Sequence, residues 1–294
     1  MTSIRPRRSV LYMPGSNARA LEKARTLAAD ALILDLEDAV APDMKETARV
    51  QVAAAIAEGG YGHRELVIRI NGLSTPWGEA DLEAAAKAAP DAILVPKVSS
   101  GEDVAVIGRK LAALGCPEGV KIWVMMETPL AMLNAGAIAS AAASEDGKRL
   151  ACFVMGTNDL AKETRARLVP GRLPMAGWLS TSVAAARAYG LDIIDGVYND
   201  FNNAEGFAAE CAEGRDFGMD GKTLIHPKQV EPCNEAFSPA EAEVEWAKKI
   251  IAAFDLPENQ GKGAITVEGR MVELLHAEMA RRTVAIAEAI AARG

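Results

Sequence analysis

Between Arg8 and Pro227 the chain repeats one pattern eight times: a short apolar run rich in Val, Ile and Leu ends on residues better suited to chemistry than to packing. The runs are Ser9–Met13 into Pro14-Gly-Ser-Asn17, Ala31–Leu34 into Asp35-Leu-Glu-Asp38, Leu66–Ile68 into Arg69-Ile-Asn71, and Ala92–Val95 into Pro96-Lys97. They continue with Ile122–Met126 into Glu127-Thr-Pro129, Cys152–Met155 into Gly156-Thr-Asn-Asp159, Ile193-Ile194 into Asp195-Gly-Val-Tyr198, and Thr223–Ile225 into His226-Pro227. Runs this short and continuous suit strands covered on both faces, and the Ala-rich segments of helical period between them suit crossover helices. Eight such alternations predict an α/β fold, a (β/α)8 TIM barrel, whose reactive residues stand at the carboxyl ends of the strands.

Helices are expected over 18–29, 44–57, 79–88 and 102–114. The longest interval without periodicity, 165–177, holds Pro170-Gly171 and Pro174 and is expected to be an active-site loop. After Pro232 the pattern changes, which divides the chain into a barrel catalytic domain over 1–235 and a C-terminal helical extension over 236–294. Ser238-Pro239 is expected to cap a helix reaching Phe254, with an extended piece over 264–269 and a last helix over 271–292. A barrel does not need this tail for closure. It is either an extra packing element or a lid over an active site, in its own subunit or a neighbour.

With 294 residues, 50% hydrophobic and 24% charged, the chain suffices for one large globular domain. A net charge of −8 argues against nucleic-acid or membrane-surface partners. No apolar stretch approaches the ~20 residues that span a bilayer. The three arginines in the first eight residues meet only a five-residue apolar run, too short for a secretory signal. Cys116, Cys152, Cys211 and Cys233 lack CxxC spacing and read as buried thiols of a reducing compartment, so a cytoplasmic protein is expected.

Glu127 and Asp159 end adjacent strands, and two carboxylates converging at one barrel mouth suit Mg²⁺, which keeps several waters; the competing reading of Asp159 is a helix cap. Asp35, Glu37 and Asp38 repel one another unless a cation, arginine or water network relieves them, which suggests that they hold metal-bound waters or orient Arg69, with direct metal ligation as the less favoured alternative and a capped helix start as the alternative for Asp38. Arg69 lies within an apolar run, so its charge must meet carboxylates or an anionic substrate. Lys97 follows the same logic but can reach solvent along its stem. Pro14–Asn17 opens a helix with Arg19 and Lys23 in its first turns, and His226 lies beside Lys222 and Lys228; both are candidate phosphate contacts, although Ser and Asn are also ordinary caps. Surface positions are the default for His63 and His276.

Taken together, Leu11-Tyr-Met-Pro-Gly-Ser-Asn17, Leu34-Asp-Leu-Glu-Asp-Ala-Val40, Val67-Ile-Arg-Ile-Asn71, Val95-Pro-Lys97, Met126-Glu-Thr128, Gly221–Pro227 and Gly269-Arg-Met-Val272 resemble the citrate lyase β-subunit/malyl-CoA lyase family, the HpcH/HpaI aldolase superfamily. The resemblance implies a C-terminal lid, a homo-oligomer of three or six chains, Mg²⁺ or Mn²⁺ in its place, and coenzyme A thioester and 2-oxo acid substrates. It makes Glu127 and Asp159 the metal ligands and Arg69 the residue on the reacting oxygens. It places Tyr12, Asn17, Lys23, Ile225 and His226 against the CoA thioester. The family's lid acid is usually Asp after Met-Ile or Met-Val; here Met271-Val272 is followed by Glu273, the carried-over catalytic acid. The first activity implied is cleavage or formation of the C–C bond of a 3-hydroxyacyl-CoA, such as (S)-malyl-CoA, β-methylmalyl-CoA or citramalyl-CoA, with acyl-CoA and a 2-oxo acid as the other side of the reaction. The alternative is hydrolysis of (3S)-malyl-CoA at the same site. A third reading is a citrate lyase-type subunit that acts only in a complex on a carrier-bound thioester.

Overall fold

In a computed structural model that describes residues 4–293, the eight runs form a closed parallel barrel in sequence order. Its strands are β1 (Ser9–Pro14), β2 (Ala31–Asp35), β3 (Glu65–Arg69), β4 (Ala92–Val95), β5 (Lys121–Met126), β6 (Leu150–Met155), β7 (Asp192–Asp195) and β8 (Gly221–Leu224), with β8 pairing back to β1. Around them run α1 (Ala18–Ala24), α2 (Lys45–Glu58), α3 (Gly78–Ala88), α4 (Gly101–Ala113), α5 (Pro129–Leu133) and α6 (Ala135–Ser140). They are followed by α7 (Thr157–Thr164), α8 (Ala176–Ala188), α9 (Ala204–Asp216) and α10 (Val230–Ala236). This is a (β/α)8 barrel.

Strand parity positions the site. Val10, Ala31, Ile33, Val67, Ala92, Leu94, Trp123, Met125, Cys152, Val154 and Ile194 form one buried cluster, the filling of the barrel. Because side chains alternate faces along a strand, the next inward positions are Tyr12 on β1, Asp35 on β2, Arg69 on β3 and Glu127 just past β5. The outward positions, among them Leu11, Leu32, Leu34, Ile68, Ile93 and Phe153, pack under the helices. At the opposite end Arg7 pairs with Glu65 and Asp192, and its guanidinium lies 5.1 Å from the ring centre of fully buried Trp123. Burial of an aromatic this size contributes on the order of 2–3 kcal/mol. The plug closes the amino end and leaves the carboxyl end for chemistry.

The chain divides into two compact units, one spanning Arg7–Phe237 and the other joining the segment up to Pro6 with the segment from Ser238 onward. The second unit is built from α11 (Glu241–Asp255), an antiparallel hairpin of β9 (Ala264–Val267) and β10 (Arg270–Glu273), and α12 (Leu274–Ala291). Its own core is Ala247, Ile250, Phe254, Ile265, Val267, Val272, Ala277 and Ala280. Two expectations shift here. The cap of α11 is Ala240 rather than Ser238, and the last helix starts at Leu274 rather than 271, because Gly269 with positive φ turns a hairpin that draws Met271–Glu273 into a strand. The first barrel helix also ends at Ala24, five residues early. Among the described residues no helix is long and apolar enough to cross a membrane. All four cysteines are buried and free.

Candidate active site

Arg69, 6% exposed, anchors one side of the barrel mouth. It donates from Nε to Asp35 Oδ1 and from Nη2 to Asp35 Oδ2, both at 2.7 Å. Its Nη1 stands 2.8 Å from Glu37 Oε2 and 3.5 Å from Asp38 Oδ2. Its guanidinium lies 4.8 Å from the ring centre of Tyr12, whose hydroxyl faces Met125 Sδ at 3.6 Å. Burial alone would lower the Arg69 pKa, but Tyr12, Asp35 and Glu37 hold it well above its ordinary value. The same burial pushes the Tyr12 phenol up, and pushes Glu37 up to about 8 despite the arginine. One buried cation thus stands against all three acids at the end of β2, yet burial and the neighbouring carboxylates still raise Glu37.

The loop that carries them is pinned. Asp35 accepts from the backbone N–H groups of Glu37 (2.9 Å) and Ala39 (3.0 Å). Buried Lys45 donates from Nζ to the carbonyls of Leu36 (2.9 Å) and Glu37 (2.8 Å), and Asn71 donates to Leu36 O at 2.8 Å. Asp38 caps no helix: α2 is preceded by Met44, and the Asp38 side chain is 69% exposed.

On the facing side Glu127, 1% exposed, follows β5, and Asp159 stands in the first turn of α7. Gly156, not Asp159, is the residue that caps α7. It is glycine for a steric reason: a Cβ there would overlap the Glu127 side chain. Lys97 bridges the two acids, with its Nζ 2.5 Å from Asp159 Oδ1 and 3.6 Å from Glu127 Oε2. Its own backbone N–H donates to Glu127 Oε1 at 2.8 Å. Burial pushes the Glu127 carboxyl up to about 7, against the pull of Lys97. Two hard-oxygen carboxylates gathered around one cation suit a divalent ion that fills its remaining positions with water. Among the described residues no group of three or more His, Cys, Asp or Glu is arranged to hold a metal without such waters.

Between these halves lies a cavity of about 310 Å³, which Tyr12, Asp35, Arg69, Glu127, Asp159 and Ile225 line together with Met125, Met155, Thr157, Val197 and Thr223. A larger cavity of about 490 Å³ adjoins it, sharing Thr157 and Val197, between the loop at Leu168–Arg172 and the segment after β7. The converging charges are in the smaller one. Sequence reasoning passed over Thr157, Val197 and Thr223; Thr223 was recoverable, since strand register puts it beside inward Val10.

Of the other expected contacts, Ile225 lines the smaller cavity, whereas Asn17, Lys23 and His226 do not. Asn17 caps α1, accepting from Ala20 N at 3.0 Å, and Lys23 lies in the last turn of that seven-residue helix rather than in its first turns. Ile225 is 41% exposed. His226 stacks on Phe201, with ring centres 4.7 Å apart at 8°, and its Nδ1 accepts from Lys228 N at 3.1 Å. Lys222 is not a partner of His226 at the mouth: it is fully buried on the outward face, paired with Asp195 at 2.9 Å and Glu210 at 2.7 Å. Asp195 points outward as well, held by Lys222 and by Arg172 at 2.7 Å, so β7 sends no acid to the mouth. Glu273 ends β10 in the C-terminal unit, and its backbone N–H donates to His276 Nδ1 at 2.9 Å, which gives His276 a local capping bond in place of a plain surface position.

With this geometry established, residues 8–227 match the family model for HpcH/HpaI aldolase/citrate lyase. The chain belongs to that family. It is an enzyme of the citrate lyase β type. It is 53% identical over 287 residues, 98% of its length and 96% of the relative's, to a (3S)-malyl-CoA thioesterase of Cereibacter sphaeroides. It is 35% identical over 272 residues, covering 91% and 92% of the two chains, to the citrate lyase subunit beta of Haemophilus influenzae. Among solved structures, CitE of Mycobacterium tuberculosis in complex with magnesium, acetoacetate and coenzyme A superposes with a TM-score of 0.73 at 28% identity, over 97% of this chain and 99% of that one.

Proposed function

We propose that this enzyme is a Mg²⁺-dependent thioesterase that hydrolyses (3S)-malyl-CoA. The observation that carries the reading is the 53% identity, over nearly the whole chain, to proteins of that name, against 35% to a citrate lyase β subunit. That difference reverses the order expected from sequence, where carbon–carbon lysis came first.

In this reading Glu127 and Asp159 hold the ion, which supplies charge neutralisation at the acyl oxygens when bound. Arg69 is fixed in orientation by Asp35 and Glu37, so its positive charge is preorganised for the thioester oxygen as negative charge develops there. Water forms the new C–O bond and the C–S bond breaks. Glu273 takes a proton from the attacking water and returns it to the departing thiolate. The 310 Å³ mouth takes the acyl group, with Ile225 in its wall, and the nucleotide is assigned to Asn17, Lys23 and His226 outside it. The chains assemble as trimers or hexamers, a state that light scattering on the purified protein reads directly.

The test is to incubate the protein with Mg²⁺ and (3S)-malyl-CoA and measure free thiol and 2-oxo acid separately. Thiol without glyoxylate is expected. Glyoxylate without thiol would overturn hydrolysis in favour of lysis. Turnover confined to a carrier-bound thioester would make the chain a lyase-complex subunit instead.

A further inference from the structure

Lys97 carries a backbone conformation that lysine rarely adopts, with φ at +55°. A non-glycine residue in the left-handed region stores strain, and such strain persists where the surroundings over-determine it. Here two bonds do so. The backbone N–H points at Glu127 Oε1 (2.8 Å) while the ammonium of the same residue reaches Asp159 Oδ1 (2.5 Å) and Glu127 Oε2 (3.6 Å). One residue thus grips both carboxylates, one with its main chain and both with its side chain. The loop that carries it is tied to the segment just past β5 by Ser99 Oγ, 2.8 Å from Thr128 Oγ1, and to the junction of α5 and α6 by Asn134 Nδ2, which donates to Ser99 O at 2.9 Å. The Lys97 side chain is 40% exposed, so part of it already meets solvent.

We propose that Lys97 is a built-in counter-ion of the metal position, which holds Glu127 and Asp159 together when the ion is absent and must be displaced when it binds. The inference rests on the assignment of Glu127 and Asp159 as the metal-holding pair. It follows from Coulomb's law applied to three groups: an ammonium within 2.5–3.6 Å of both acids offsets their mutual repulsion, and a divalent cation on the same oxygens repels it. Lys97 is therefore a positioning residue that sets metal affinity. It keeps the pair preorganised at the cost of competing for the position, and the ammonium leaves by rotation of its partly exposed stem.

Two variants separate charge from backbone. Lys97→Met keeps the stem and the left-handed strain but removes the charge, whereas Lys97→Gly removes the side chain and relieves the strain. Mg²⁺ affinity is read by titration calorimetry, and melting temperature in EDTA and in saturating Mg²⁺. Both variants are expected to bind Mg²⁺ more tightly than wild type, by roughly five- to tenfold for a partly screened charge. In Lys97→Met the melting temperature should fall in EDTA and recover in Mg²⁺. Lys97→Arg, which keeps the charge, should stay near wild type in affinity. Unchanged or weaker binding in both uncharged variants, with normal binding in wild type, would overturn the counter-ion role. Wild-type protein that binds no Mg²⁺ would overturn the metal assignment itself, and this inference with it.

Discussion

Replacing Arg69 by lysine separates charge from shape at the centre of the site. In the wild type, Nε and Nη2 occupy both oxygens of Asp35 at 2.7 Å while Nη1 reaches Glu37 at 2.8 Å. An ammonium keeps the unit charge but cannot fill both prongs and reach Glu37 as well. Asp35 is fully buried, so losing one prong leaves a buried carboxylate oxygen short of a charged partner. One charge-assisted hydrogen bond at such a carboxylate is worth about 1.5–3 kcal/mol, and the variant should lose about 2 kcal/mol of stability. Catalysis should suffer separately. A preorganised donor on a developing oxyanion is worth on the order of 10²–10³ in kcat, or about 3–4 kcal/mol.

Urea unfolding measures the first loss, and thiol release from (3S)-malyl-CoA with saturating Mg²⁺ the second. Arg172→Lys is the control: Arg172 is 3% exposed and donates from Nη1 to both Asp195 oxygens (2.7 and 2.9 Å), yet it holds the outward face of β7. It should show a similar loss of stability with kcat near wild type. If Arg69→Lys keeps kcat within an order of magnitude while losing stability, Arg69 is a structural ion pair and the proposed step fails. An equal loss of kcat in both variants would show that the assay reports stability alone.

Three further outcomes are expected. Glu127→Gln and Asp159→Asn should each weaken Mg²⁺ binding at least roughly tenfold by calorimetry while preserving the circular dichroism spectrum, because each removes one of two charged donors. Burial alone would push Asp195 up, but Lys222 and Arg172 overcome it and hold its carboxyl below the ordinary range; Lys222 is raised in return. The contribution of Asp195 is present above the unfolded carboxylate pKa of about 3.9 and is lost as pH falls through the depressed folded value, while that of Lys222 is present below about 10.4 and is lost as pH rises through its raised one. Asp195→Asn should therefore unfold more easily at neutral pH and show a flatter decline in stability below about pH 4, a result that denaturation midpoints across pH check directly. Glu273→Gln should abolish thiol release with Mg²⁺ affinity unchanged, and Glu273→Asp should retain part of it; full activity in Glu273→Gln would remove that residue from the mechanism.

What the sequence made legible follows strand by strand from the difference between period and depth. Continuous apolar runs announced eight strands but hid which residues face inward, since a strand covered on both faces shows no alternation. Parity was recoverable only where a charged residue interrupts the run, and even then it was ambiguous. Arg69 and Asp195 both look like misplaced charges at strand ends; one points into the mouth toward Asp35 and the other outward to Lys222 and Arg172. Lys222 misled for the same reason, because its partner Glu210 comes from α9, twelve residues earlier and invisible to local pattern. Asp35, Glu37 and Asp38 implied a cation, and adjacent Arg69 was a natural candidate since β2 and β3 are consecutive. The grip of Lys97 on two acids was not legible at all. It depends on a left-handed backbone at a residue type that gives no sign of one, and such a conformation is set by tertiary partners rather than by propensity. The C-terminal hairpin failed at a single turn: Met271-Val272-Glu273 carries helical residues on one side, and the positive φ values of Glu268 and Gly269 decide that they pair with Ala264–Thr266 instead. Strand runs and acid clusters are local signals and survive in one dimension. Side-chain direction and left-handed turns are settled by neighbours distant in sequence, and the arrangement of this mouth depends on both.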